Sequence, residues 1–269
     1  MSVAAEYRKK KYPWRVGATS FVIPADLLAN VQLLAEMVDD VQLLFFESRA
    51  KARLPHRVEV AALQELAREN DLTYTVHLPT DIRLGAAAAV ERQAGLDEIC
   101  RLVDELAPLA PSSFDLHLRP EHGLAEDEWL GHIDRSLASL AGALGETRAM
   151  VGIENIDYPY GIIRPLVAQH GFAVCLDLGH LLRYGHDWQE AFACDLLRAN
   201  HIHYHGVNGC QDHAAVLEKQ DMVTVRLGEL LLRSAFQGVL TLEVYDLDQL
   251  IASLTELNRL WGHFCGSGQ

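Results

Sequence analysis

Residues 201–213 read His-Ile-His-Tyr-His-Gly-Val-Asn-Gly-Cys-Gln-Asp-His. His201, His203 and His205 alternate with apolar or aromatic residues, and a Gly-rich turn then delivers Asp212 and His213. In a β-strand the side-chain period is two, so the three imidazoles share one face. Each ring carries polar nitrogens that need partners when buried, so packing alone rarely asks for such a stack. Metal binding or acid–base chemistry accounts for it better. Related residues recur along the chain. Glu47, His77, His117, Glu154, Asp177 with His180, and Glu243 each stand at or just past the end of a short apolar run. Glu154 and Glu243 end such runs, where a lone carboxylate is expensive to bury without a partner. In Asp177-Leu-Gly-His180, Gly179 allows a tight turn, so two ligand-type side chains can enter one site. Each residue alone has a plainer reading: His77 and His117 can cap loops, and Asp177 can cap the next helix. His56, His122, His132, His170, His186 and His263 fall in expected loops or helices and read as surface or satisfied histidines.

The apolar runs are the elements that must position these groups. Trp14–Ser20, Val41–Phe46, Leu72–Val76, Ser113–Leu116, Ala149–Ile153, Phe172–Leu176, the histidine stretch and Val239–Leu242 read as strands. Continuous apolar strands belong to parallel sheets covered on both faces. Between them lie helical patterns over Ala25–Asp39, Val58–Arg68, Ala89–Leu106, Asp127–Leu144, Ile162–His170, Trp188–Arg198, Val223–Phe236 and Leu247–Leu260. About eight strand–helix units in 269 residues imply a closed (β/α)₈ TIM barrel, which typically needs roughly 250 residues. An open doubly wound sheet is the runner-up. Residues 1–12 read as a basic, flexible tail, and 13–269 as a single barrel domain. In a barrel, all seven polar strand ends converge on one mouth.

Composition narrows the chemistry. A net charge of −14 makes non-specific nucleic-acid binding unfavourable and argues weakly against an anionic membrane surface. The expected partner is a small molecule. The sequence leaves the oligomeric state open. Five scattered cysteines without a CxxC read as reduced thiols of a cytoplasmic protein. No secretory h-region and no run near the ~20 residues of a membrane span are present. GxGxxG, GxxxxGK[ST] and GxSxG are absent. Cys175 and Cys210 lie near the histidines and read as neighbours rather than nucleophiles. Mixed His, Asp and Glu ligands suit Zn, Mn or Fe. They outnumber what one tetrahedral ion needs, so two or three divalent ions are expected. Such clusters serve phosphoester hydrolysis, activating water and stabilising the leaving oxygen.

The order His77, His117, Glu154, Asp177-x-x-His180, His203, Asp212-His213, Glu243 resembles the xylose isomerase-like barrels, which include endonuclease IV and many sugar isomerases and epimerases. The paired His77 and His117, with Asp-His in the seventh loop, are similar to the trinuclear endonuclease IV pattern. Closer phrases resemble the cobamide-remodelling phosphodiesterases of that superfamily. They are Gly17-Ala-Thr-Ser-Phe21, Leu43-Leu-Phe-Phe-Glu-Ser48, Tyr74-Thr-Val-His-Leu-Pro79, Glu154-Asn-Ile-Asp-Tyr158, Cys175-Leu-Asp-Leu-Gly-His180, His203-Tyr-His-Gly-Val207 and Thr241-Leu-Glu-Val244. The resemblance implies hydrolysis of an adenosylcobamide in its nucleotide loop, releasing cobinamide phosphate and an α-riboside. It implies metal ligands at His77, His117, Glu154, Asp177, His180, His203, Asp212, His213 and Glu243. Glu154, Glu243 and Asp177 are then the catalytic carboxylates, and Glu47, His205 and Arg119 the substrate contacts. One departure stands out: endonuclease IV has a residue between its loop Asp and His, whereas Asp212 and His213 are adjacent. His201 is expected deeper in the barrel, in a structural role. The alternatives are a sugar isomerase or epimerase, with one ion and a Glu154–Glu243 pair exchanging a proton, and a non-catalytic metal or corrinoid carrier.

Overall fold

A computed structural model describes residues 9–45, 47–48, 54–209, 211–216, 226, 229–231 and 233–266. Seven strands come first: β1 (Arg15–Thr19), β2 (Asp40–Leu44), β3 (Thr73–His77), β4 (Phe114–Leu116), β5 (Val151–Glu154), β6 (Ala173–Asp177) and β7 (Ala199–Tyr204). A short antiparallel ribbon, β8 (Gly206–Asn208) and β9 (Gln211–Ala214), follows β7. Then β10 (Val239–Leu242) inserts between β7 and β1 and closes an eight-stranded parallel barrel. The helices among the described residues are α1 (Leu27–Leu34), α2 (Arg57–Asn70), α3 (Ala89–Leu106), α4 (Glu126–Leu144), α5 (Arg164–His170), α6 (Leu178–Tyr184), α7 (Trp188–Asp195) and α8 (Leu247–Gly266). None of them is long and apolar enough to cross a membrane. The expected TIM barrel is the fold observed.

The alternation of side chains along each strand decides what the barrel encloses. One set is apolar: Val16, Val41, Leu43, Tyr74, Val76, Leu116, Ile153, Ile202, Leu240 and Leu242 are buried. Helix residues meet that set at helical spacing, as Ile99, Leu102, Val103 and Leu106 do on α3. Burying each large aliphatic side chain contributes about 1.5–3 kcal/mol, and this layer holds the helices to the barrel. The other set is polar and points into the lumen. Gln42 of β2 reaches His203 of β7 at 2.7 Å, and Ser113, just before β4, reaches His201 of β7 at 3.3 Å. These strands are not neighbours in the sheet, so the contacts run across the barrel.

Several local expectations need correction. Lys9 and Tyr12, inside the stretch expected as a tail, make packed contacts. Lys9 Nζ donates to the carbonyls of Ala35 and Asn70, at the ends of α1 and α2, and Tyr12 is 7% exposed and stacks on Trp14. Residues 1–8 lie outside the described residues. The segment after Asp177 is a helix, α6, with Asp177 as its N-cap accepting from His180 N at 2.7 Å. α1 is shorter than the Ala25–Asp39 pattern: Asp26 caps its start, accepting from Ala29 N, and it ends at Leu34. Most of the expected Val223–Phe236 helix lies outside the described residues; residues 226, 229–231 and 233 are helical. Cys100, Cys175 and Cys194 are free thiols.

Candidate metal centre

Glu154 ends β5 at the axis of the mouth, with no exposed surface. Its Oε2 is 3.4 Å from His77 Nε2, 3.1 Å from His117 Nε2 and 3.5 Å from His203 Nδ1, and its Oε1 is 3.3 Å from His180 Nδ1. His203 Nδ1 also lies 3.1 Å from Glu243 Oε2 and 3.8 Å from Asp177 Oδ2. Asp177 divides its work. Oδ1 caps α6 and sits 3.3 Å from His205 Nε2, while Oδ2 is 3.0 Å from His180 Nδ1. Asp177 thus caps α6 with one oxygen and turns the other toward the cluster.

These side chains form three groups whose candidate donor atoms lie within 4.8 Å of one another. One is His77, His117 and Glu154; the second is Glu154, Asp177, His203 and Glu243; the third is His180, His205 and His213. Glu154 belongs to two of them. A fourth group, Asp115, Cys175, His201 and His203, lies deeper in the lumen.

Whether divalent ions fit can be tested on the polar atoms. Both carboxylate oxygens of Glu154, Asp177 Oδ2, Glu243 Oε2, His203 Nδ1 and His117 Nε2 are buried without a hydrogen-bond partner. Leaving so many polar groups unsatisfied costs about 1–3 kcal/mol each, and more for charges. They converge on shared points, and hard carboxylate with borderline imidazole donors is the set Zn, Mn or Fe takes. The residues fit the ions. Protons show the same demand for positive charge. Burial alone would depress the His180 pKa, but Asp177 and Glu154 push it up to about 10. Burial would raise Glu243, but His203 brings it down to about 2. Glu154 and Asp177 lie well below the usual carboxylate range, against burial, because His117 and His203 face the first and His180 and His205 the second.

Above the cluster is a cavity of about 220 Å³ with Leu44, Phe45, Tyr184 and Tyr245 in its walls. Arg119 is the only Arg or Lys among its described lining residues, and its Nη2 is 3.4 Å from His117 Nδ1.

Of the expected ligands, His77, His117, Glu154, Asp177, His180, His203, His213 and Glu243 are brought together. Asp212 is not: it is half-buried and reaches the cavity wall, but joins none of the three groups. Adjacent residues of a strand leave it in different directions, and His213 takes the place nearer the imidazoles. His205, expected as a substrate contact, does not line the cavity. It is 0% exposed, and its ring fills the space that Gly179 leaves by lacking a Cβ. Glu47 is exposed and outside the cavity wall, where Leu44 and Phe45 stand instead. Arg119 lies in that wall, as a substrate contact requires. His201 bonds Asp115 and Thr241, the structural place expected of it. Sequence reasoning passed over Asp115, on β4 two residues before His117, and Gln42, a lone amide in an apolar run.

Gly179→Ala tests the packing around His205. A Cβ there would sit 2.1 Å from His205 Cε1. We expect about 1–3 kcal/mol of destabilisation from overpacking, read as a lower denaturant midpoint, together with weaker ion retention at the His180 group. An unchanged midpoint with full ion content would show that the ring has room to move.

A parallel barrel with carboxylates and imidazoles at the C-terminal ends of its strands defines the architecture of a barrel enzyme site. The family model for xylose isomerase-like TIM barrels matches residues 31–260, and the chain belongs to that family. No curated protein matches the chain by sequence. Solved structures do match in fold. A D-tagatose 3-epimerase-like protein superposes with a TM-score of 0.80 at 16% identity, over 95% of this chain and 100% of that one. The 3-keto-D-glucoside 4-epimerase from E. coli gives 0.72 at 16% identity, over 93% and 99%. Endonuclease IV from Thermus thermophilus gives 0.68 at 19% identity, over 93% and 99%.

Proposed function

We propose that the protein is a metal-dependent phosphodiesterase that hydrolyses the nucleotide loop of adenosylcobamides to cobinamide phosphate and an α-riboside. The observation that carries this reading is the position of Glu154, shared between the His77–His117 pair and the Asp177–His203–Glu243 group. A single-ion isomerase has use for the second group alone. Two groups joined by one carboxylate suit paired ions, the arrangement used on phosphoesters. The phrases around Glu154, Asp177 and Glu243 that resemble cobamide phosphodiesterases support the substrate class.

Glu154, Asp177, His203 and Glu243 would hold one ion, His77, His117 and Glu154 a second, and His180 with His213 a third. Bound divalent ions supply Lewis acidity, activating water and offsetting charge on phosphate oxygens. Arg119 offers its guanidinium to the phosphate from the cavity wall. Leu44 and Phe45 exclude bulk water from one side of the cluster. Tyr245 donates to Glu243 Oε1 at 3.3 Å and steadies that carboxylate. The chain's charge of −14 favours a small-molecule substrate over DNA.

The second reading is a sugar isomerase or epimerase with one ion. It has its own support, because Glu154 and Glu243 both face His203 Nδ1 and could exchange a substrate proton. One experiment separates the two. The protein is incubated anaerobically with adenosylcobamide and Zn, Mn or Fe, in parallel with keto-sugars and a duplex containing an abasic site, and products are resolved by chromatography. Cobinamide phosphate and an α-riboside are expected in the first tube. Intact cobamide beside a converted keto-sugar or a nicked duplex would overturn the proposal.

A further inference from the structure

The third donor group contains three imidazoles, His180, His205 and His213, yet only two of them can meet an ion. His205 Nδ1 accepts the main-chain N–H of His213 at 2.9 Å. A main-chain N–H can only donate, so the ring keeps its lone pair on Nδ1 and its proton on Nε2. The same nitrogen lies 3.1 Å from Gly206 O, a contact that is no hydrogen bond in this tautomer. With Nδ1 taken and Nε2 protonated, His205 has no lone pair for a metal. The other two rings are arranged the opposite way. His180 Nδ1 lies 3.1 Å from Asn155 O, and His213 Nδ1 lies 3.2 Å from Glu243 O. A carbonyl only accepts, so each of these rings has its proton on Nδ1 and its lone pair on Nε2.

We infer that His205 is a positioning residue for the metal centre: its Nδ1 holds the main chain of His213 in the conformation that stands the His213 imidazole beside His180. The inference rests on the metal-dependent reading above but not on the identity of the substrate.

His213 needs such a hold. Its φ is 50°, in the left-handed region where residues other than glycine are uncommon. A backbone in that region persists only where its surroundings fix it. Here it is fixed at two points, by its N–H on His205 and by its Nδ1 at the Glu243 carbonyl. The ring of His213 then lies with its centroid 4.3 Å from that of His205 and 5.7 Å from that of His180. His205 itself cannot yield. It is 0% exposed, and a Cβ on Gly179 would collide with three atoms of its ring. An imidazole sealed at that depth is costly as filler alone. A group that orients a ligating histidine is worth about 10–100-fold in metal affinity.

Three variants test this. His205→Phe keeps a flat ring and removes the acceptor. His205→Asn keeps an acceptor near the place of Nδ1. His213→Ala removes the ligand itself. Ion content is measured by elemental analysis, and affinity by competition with a chromophoric chelator. We expect His205→Phe to bind the ion that His213→Ala loses about 10–100-fold more weakly, and His205→Asn to retain it. Hydrogen exchange at the His213 amide should be slow in wild type and in His205→Asn and fast in His205→Phe. In Zn-loaded wild type, ¹⁵N-histidine NMR should place the His205 proton on Nε2. That signal and the wild-type amide decide the matter if His205→Phe does not fold. A folded His205→Phe with full ion content, a His213→Ala that keeps every ion, or a wild-type His205 with its proton on Nδ1 would overturn the inference. Wild type that binds no divalent ion would instead sink the metal-dependent reading, whichever tautomer His205 proves to have.

Discussion

Glu154→Gln is expected to lower turnover by at least about 10³-fold, or about 4 kcal/mol of barrier at 1.36 kcal/mol per decade. The reasoning starts from the two oxygens of Glu154. Both are buried, and neither has a hydrogen-bond partner. Oε2 faces His77, His117 and His203, and Oε1 faces His180. The amide has nearly the same volume, so the packing of β5 persists. What changes is charge and donor count. A neutral amide brings an N–H₂ into a space lined by imidazoles, where an incoming ion has use only for an acceptor. The centre should lose at least one ion, because two donor groups share this residue. The measurements are ion content, kcat with adenosylcobamide, and a denaturation midpoint to show that the variant is folded. A folded Glu154→Gln protein with full ion content and wild-type turnover would remove Glu154 from the centre of the mechanism.

How much of this could be read from residues alone depends on the range of the forces involved. The barrel was legible because strands buried on both faces, such as Val41–Leu44 and Val174–Leu176, are written as apolar runs that end at a polar residue. The ends of those runs then located Glu154, Asp177 and Glu243. Helix α6 was not legible, since seven residues containing Gly179 carry no usable period and a poor helix former. The β8–β9 ribbon is built of strands of three and four residues and read as a turn. Asp115 and Gln42 escaped for a different reason. Gln42 meets His203 and Asp115 meets His201 across the barrel, and contacts separated by 161 and 86 residues in the chain leave no local mark. The same holds for His205, whose withdrawal from the cavity depends on the missing Cβ of Gly179. Lys9 reads as solvated charge, yet its ammonium reaches the carbonyl ends of two helices.

Removing the divalent ions should abolish turnover and also lower the melting temperature, and the second effect is the more direct probe of the site. Without ions, carboxylates at 154, 177 and 243 are balanced by imidazoles: His180 is pushed up to about 10, and His203 lies well above its usual range. In metal-free protein near neutral pH those rings therefore carry protons that an incoming ion must displace. Binding should release protons, visible by calorimetry in buffers of different ionisation enthalpy. An ion that binds only the folded state stabilises it by RT ln(1 + [L]/Kd), about 4.1 kcal/mol at a thousandfold excess over Kd. For a chain of this size, 1 kcal/mol moves the midpoint by about 2–4 °C, so each tight ion should raise Tm by about 8–16 °C. Scanning calorimetry before and after chelation, and again after adding back Zn, Mn or Fe, measures the shift. The number of ions matters as much as its size. If the His77–His117 pair and the Glu154–Asp177–His203–Glu243 group load separately, stabilisation should climb in at least two steps as ion is titrated in. A single step with one ion per chain would favour the isomerase reading. No shift at all would mean that the convergent carboxylates and imidazoles are held by protons alone.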